Sequence, residues 1–342
     1  MEPDTGRPTT RENGPDTHSG PRPWYVRGLP PVAIGGACVL VGQLTPLVSP
    51  LLIALLVGAV VANTAAGRLP MWGDQQAVTK TLLRVGVVLL GLRLSLGDLV
   101  EVGLPGLLII GVTVTLTFVL TCVIGDRLGL DRGLVTLIAA GFSICGAAAI
   151  AAVEGTVKRR DEDVALAIAM VTLFGSAMIL ILPLGQTVLG LSDLQLGVWA
   201  GASVHEVAQV VAAASFGGAA AVAAATTIKL GRVTCLAIVF MAARWRGRAD
   251  VAPDGKPIPV VPWFVVGFLL AAALRTTGWI AAPALGVTDV VTNVLLASAM
   301  FGLGMGIRVA DLFPVPWRVF GLAAASTAVA ASVSLVLTLA VL

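Results

Sequence analysis

The chain has 342 residues, of which 57% are hydrophobic and only 12% charged, with a formal net charge of +3 and a mean hydropathy of +0.96. Ordinary soluble domains carry roughly 25% charged residues, so the composition excludes a soluble globular domain and points to an integral membrane protein. The basic residues are scattered between apolar segments and form no aromatic-interleaved patch, which argues against nucleic acid as a partner and for a role in topology.

Residues 1–23, MEPDTGRPTTRENGPDTHSGPRP, contain no apolar run and are dense in Pro, Gly, Thr and mixed charge. Such a stretch cannot offset its ordering entropy, so a disordered tail over 1–29 is expected, followed by one transmembrane domain over 30–342. The tail also lacks the pattern of a cleaved signal peptide. Eleven apolar segments follow, at about 31–46, 51–67, 80–97, 104–124, 133–153, 164–184, 195–215, 225–243, 260–279, 291–308 and 317–341, each near the length that crosses a bilayer as a helix. Arg68, Lys80, Arg127, Arg132, Arg244, Arg246, Arg248 and Lys256 fall on the side of the N-terminal tail, which predicts a cytoplasmic N-terminus and an external C-terminus in a bacterial inner membrane. One cluster is discordant: with eleven spans, Lys158-Arg159-Arg160 falls on the other side, although in KRRDED (158–163) it is nearly neutralised by its own acids.

Weak internal symmetry accompanies this pattern. Segment 2 (LLVGAVVANTA) aligns with segment 7 (VWAGASVHEVA), placing Asn63 on Glu206; segment 3 aligns with segment 8 through Arg84 and Arg232; segment 5 aligns with segment 10 through Gly146 and Gly302. The consecutive order favours a five-helix unit repeated once, as 51–184 and 195–341 after an extra helix at 31–46. Five is odd, so the repeat is inverted.

Three constellations carry chemical interest. The centres of segments 5 and 10, Gly141-Phe-Ser143-Ile144-Cys145-Gly146 and Gly302-Leu-Gly304-Met-Gly306, suit either interrupted helices that present backbone N–H groups to an anion or close packing through small residues. In segment 7, His205, Glu206 and Gln209 share or border one helical face, and a carboxylate at membrane depth marks either a structural ion pair or a site of ion or proton coupling. Arg84, Lys229 and Arg232 sit about a turn inside their helices, as snorkelling anchors or as supports that neutralise Glu206 or attract an anion. Cys38, Cys122, Cys145 and Cys235 lie within apolar segments at spacings unlike a metal or disulfide framework.

Two near matches fail. HEVAQ lacks the second imidazole of a zinc site, since Gln209 stands in its place. GFSIC lacks the final glycine of a nucleophile elbow, and His205 is the only histidine in the membrane segments. Neither a cofactor nor a metal is expected, and an intramembrane enzyme built on Ser143 or Cys145 is a minor alternative. No ATP-binding P-loop motif occurs, so a gradient must drive any transport.

The stretches GFSICGAAAIAAV (141–153), HEVAQVVAAA (205–214) and LLRVGVVLLGLRLSL (82–96) closely resemble the YeiH-type family of bacterial inner-membrane proteins, which is labelled as sulfate exporters. The resemblance runs from about residue 30 to 340. It implies a fold similar to sodium/proton antiporters and bile-acid sodium symporters: two inverted five-helix repeats, a panel and a core domain, and two broken helices crossing in the core. The break in segment 5 carries no Asp or Glu, unlike the antiporters, which weakens a cation-exchange reading and leaves Glu206 as the leading coupling residue.

The expectation is therefore an all-α secondary transporter of a small anion. Ser143, Ile144, Cys145, Gly146, Gly302, Gly304 and Gly306 would bind substrate, His205, Glu206 and Gln209 would couple a proton, and Asn63, Arg84, Lys229 and Arg232 would support them. A sodium-coupled carrier of an organic anion is the alternative. The expected partners are the anion, a proton or sodium ion and the bilayer, with a homodimer left open.

Overall fold

The computed structural model describes residues 24–44, 50–69, 72, 75–94, 97, 100, 103–247, 262–306 and 316–342. The tail over 1–23 lies outside them, whereas residues 24–29, expected in that tail, already belong to the first helix. The described residues form fourteen α-helices and a few short 3-10 turns, with no strand among them. In chain order these are α1 (Trp24–Leu44), α2 (Pro50–Ala62), α3 (Gln75–Leu90), α4 (Gly103–Arg127), α5 (Arg132–Ser143), α6 (Ala147–Val153) and α7 (Asp161–Leu189). They continue as α8 (Asp193–Ser203), α9 (Val207–Ala214), α10 (Gly218–Thr234), α11 (Leu236–Gly247), α12 (Trp263–Thr276), α13 (Ala282–Met305) and α14 (Trp317–Val341). Five stretches, 103–127, 162–189, 209–234, 282–305 and 317–341, are long and apolar enough to cross a membrane, and shorter apolar helices accompany them.

The helices sort into two packed groups. In the first, α13 lies against α1, α2 and α3, and α12 lies against α3. Glycines make this packing close: Gly35 sits on Ser298, Gly58 on the Phe301 carbonyl, Gly304 on the Leu55 carbonyl and Gly302 on Thr79. Small residues let helix backbones approach where lipid gives no hydrophobic drive for association. In the second group α4 packs on α5 and α14, α7 on α5 and α9, and α8 on α10 and α14. Gly197 meets Ala221 and Gly201 meets Ala225 across the α8–α10 contact, a pair of four-residue small-residue spacings in register.

Two of the eleven predicted spans turn back instead of crossing. The α5–α6 pair goes in and returns to the same face of the bundle: Gly133, at the start of α5, packs directly on the Lys158 carbonyl, and Gly141 packs on Ile150. Gly247 packs on the Thr156 carbonyl at that face, where Arg246 also pairs with Asp126 and bonds Thr136 at 3.2 Å. The α8–α9 pair does the same from the opposite face, with Gly217 beside Leu196 and Asp193. At 1.5 Å per residue, α5 and α8 are only about 18 and 16 Å long, roughly half the hydrocarbon thickness. Their entries are built locally. Asp131 caps α5 by accepting from Gly133 N at 2.8 Å, and Ser192 with Gln195 forms a reciprocal cap on α8.

The fold-back removes the one discordant charge cluster. Lys158, Arg159 and Arg160 lie on the face that also carries Arg127, Arg132, Arg244 and Arg246, whereas Arg93 and Arg275 belong to the other. Lys158→Cys and Trp245→Cys, the latter replacing a side chain that is 85% exposed, are therefore expected to be modified from the same side of the membrane by an impermeant thiol reagent; labelling from opposite sides would restore a membrane-crossing segment 5.

Segment 10 is corrected as well. The glycine-rich run does not interrupt it: α13 is continuous through Gly302 and Gly304 and ends at Met305, with Gly306 as its cap. The physical reason is the packing above, since these glycines admit the α2 backbone and Thr79. The predicted pairing of segment 5 with segment 10 is thus replaced by a pairing of segment 5 with segment 7.

Candidate functional site

The tips of the two hairpins meet inside the second group. The first tip is Ile144-Cys145-Gly146, where Ile144 leaves helical geometry and Gly146 takes φ +74, a region only glycine enters freely. The second is Val204-His205-Glu206, with extended backbone at Val204 and Glu206. A methyl group on Gly146 would lie 2.7 Å from Glu206 Cγ, so the tips touch.

Every broken helix end leaves carbonyls without intrahelical partners, and no water is present in a bilayer core to take them. Here two cations one turn apart on α10 supply the donors. Lys229 Nζ donates to Ile144 O and Val204 O, both at 2.6 Å. Arg232 donates through Nε and Nη2 to Ser143 O at 3.2 and 2.8 Å and through Nη2 to Phe142 O at 3.1 Å. Its Nη1 donates to Gly201 O at 3.2 Å and Val204 O at 3.0 Å. The C-terminal ends of both α5 and α8 therefore converge on one pair of buried side chains, each with 0% exposure. These helix ends carry partial negative charge of about half a unit each, which offsets roughly one of the two positive charges.

Glu206 adds a carboxyl group beside the same tips. It is buried, and the carboxylate lies against the backbone N–H of Ala147, the first residue of α6. Its Oε1 has no hydrogen-bond partner among the described residues. Gln209 Oε1 accepts from Glu206 N at 3.2 Å, while Gln209 Nε2 donates to Thr172 O at 3.2 Å and Ser176 Oγ at 3.4 Å on α7. Gly175 leaves the room that the Gln209 amide occupies. His205 contacts Thr327 Oγ1 of α14 through Nε2 at 3.2 Å, and its ring centroid is 4.4 Å from that of Phe142.

The structure thus brings together Ser143, Ile144, Cys145, Gly146, His205, Glu206, Gln209, Lys229 and Arg232. His205 and Glu206 lie in the break that precedes α9, not on the face of a continuous helix. Gly302, Gly304 and Gly306 are elsewhere, in the first group. Asn63 ends α2 with Nδ2 donating to Ala59 O, and Arg84 is exposed with its guanidinium 5.8 Å from the Phe264 ring centre. Neither supports Glu206, because both belong to the first group. Ser143 Oγ donates to Ala140 O, which provides no nucleophile–base pair with His205. Among the described residues no group of three or more His, Cys, Asp or Glu side chains converges.

Sequence reasoning missed the second break and the partners Thr172, Ser176 and Thr327. The discordant Lys158-Arg159-Arg160 cluster was the available signal for a returning hairpin. Nothing comparable marks residues 203–206, which hold no Gly or Pro.

The family described as conserved hypothetical protein 698 matches residues 30–323. A UPF0324 membrane protein of Corynebacterium glutamicum is 40% identical over 294 residues, covering 85% of each chain. One from Pseudomonas aeruginosa is 38% identical, covering 83% of this chain and 86% of its own. The UPF0324 inner membrane protein YeiH of Salmonella typhi is 34% identical, covering 84% of this chain and 86% of its own. No solved structure matches. On the strength of this match along most of its length, the chain belongs to the conserved hypothetical protein 698 family of membrane proteins, the family that includes YeiH.

Proposed function

We propose that this protein is a secondary active transporter of a small anion, sulfate-like or sulfur-containing, coupled to protons at Glu206. The observation that carries this reading is the meeting of two interrupted helices from opposite faces around one buried carboxylate and two buried cations. Interrupted helices inside a bilayer are tolerated where they line a binding site. The charge count then gives the coupling. With Glu206 ionised, the two helix ends and the carboxylate together balance Lys229 and Arg232. With Glu206 protonated, the cluster holds about one surplus positive charge, which favours an incoming anion. Proton and anion binding thus reinforce each other and must do so reciprocally. Substrate meets residues 143–146 and 204–206; Lys229 and Arg232 hold those residues in place. Movement of the second helix group against the first exposes the tips to one face at a time. The charge distribution supports placing the Lys158–Arg160 face in the cytoplasm of the bacterial inner membrane, with the C-terminus outside.

Purified protein in liposomes tests this directly. An imposed pH gradient is expected to drive uptake of labelled sulfate, sulfite, thiosulfate or taurine in the absence of sodium. A sodium-coupled organic-anion carrier is the second reading, favoured by the buried Thr172 Oγ1, which lacks a hydrogen-bond partner among the described residues and lies near Gln209. Flux driven by a sodium gradient alone would replace the first reading with the second, and failure of both gradients would sink transport of these anions.

A further inference from the structure

Two separate cavities of different size lie where the helix groups meet, one toward each face. On the face opposite the lysine and arginine cluster, a cavity of about 730 Å³ is bordered by Arg93 and Leu94 of the first group and by Ile109, Val198 and Ile228 of the second. On the basic face the groups enclose a cavity of about 120 Å³, lined by Thr79, Ile168, Gly302 and Leu303. Three charged side chains stand at that cavity. Glu154, just beyond α6, holds Lys80 Nζ of α3 at 2.7 Å and Arg159 Nη2, just before α7, at 3.0 Å.

We infer that Lys80, Glu154 and Arg159 form an ionic latch that closes the basic-face cavity and sets the population of the state open to that face. Of the ion pairs between described residues, Lys80–Glu154 is the one that joins the two groups: Arg93–Asp289 lies within the first, and Arg246–Asp126 and Arg160–Asp163 lie within the second. The Glu154 side chain is 10% exposed, so its pairing is less screened than that of a surface pair. A pair that had to separate at this depth would strand its carboxylate, which is strongly unfavourable. The triad avoids this. When Lys80 departs with the first group, Arg159 remains with Glu154 in the second, and Lys80, 40% exposed, passes to water. Behind the latch the hydroxyl of Thr79 is buried without a hydrogen-bond partner among the described residues, as expected of a surface that water reaches once the cavity opens. The inference rests on the alternating-access reading above.

Its test reads opening without needing transport. Ile168 is buried at 1% exposure beside the latch. In a chain whose four native cysteines are replaced by alanine, Ile168→Cys reports opening through its rate of alkylation by a maleimide, with Ala151→Cys as a second reporter at the same cavity. Glu154→Gln and Lys80→Met are each expected to raise the rate by about tenfold. The exchanged pair Lys80→Glu with Glu154→Lys should return it toward the starting value, and Arg160→Gln, which removes a charge on the same face within one group, should leave it unchanged. Equal rates in all variants, or an equal rise with Arg160→Gln, would overturn the latch. Altered labelling without flux would instead sink the transport reading and leave the latch standing.

Discussion

Replacing Arg232 with methionine is expected to destabilise the protein by about 3–5 kcal/mol, the usual cost of breaking a buried charge network from one side. The substitution removes five hydrogen bonds to four carbonyls, those of Phe142, Ser143, Gly201 and Val204. Each carbonyl left bare costs about 1–3 kcal/mol, and the total stays below their sum because the desolvation of the guanidinium is recovered. Lys229→Met, which frees Ile144 O and shares Val204 O, should cost less, and Arg232→Lys should restore only part of the loss because an ammonium cannot fork across two helix ends. Thermal unfolding in detergent, followed by tryptophan fluorescence, measures these differences. An Arg232→Met protein that melts like the parent would show that the tips hold themselves in place.

Glu206→Gln is expected to abolish proton-driven flux, down to the level of protein-free liposomes, while membrane insertion stays near that of the parent. The two side chains share a shape, so the packing around the tips is kept even though the buried charge balance shifts. What the substitution removes is the proposed proton site. With a permanently neutral side chain the cluster keeps its surplus positive charge in every state, so anion binding should persist and become independent of pH. Retained flux with retained pH dependence would remove Glu206 from the mechanism.

Much of this site was legible in the residues themselves. Glu206, Lys229 and Arg232 are costly inside a bilayer, and that cost alone marks them as paired or functional. The break at Ser143–Gly146 shows in a Gly/Ser-rich run at the centre of an apolar segment. The same reasoning misled at Gly302–Gly306, because glycine serves interruption and close approach equally well, and only the neighbours decide which. Gly302 meets Thr79 and Gly304 meets the Leu55 carbonyl, so these glycines serve approach. At Val204–Glu206 the local residues indicate no break at all.

By itself the sequence determined the solvent, the helical class and the short roster of polar side chains that a bilayer would not tolerate without purpose, since hydropathy and desolvation act on each residue separately. Only the tertiary structure decided that segments 5 and 7 turn back and meet. Their freed carbonyls are satisfied by donors far along the chain, Arg232 reaching Ser143 across 89 positions and Val204 across 28, and a break stabilised from that distance leaves no mark in the residues where it occurs.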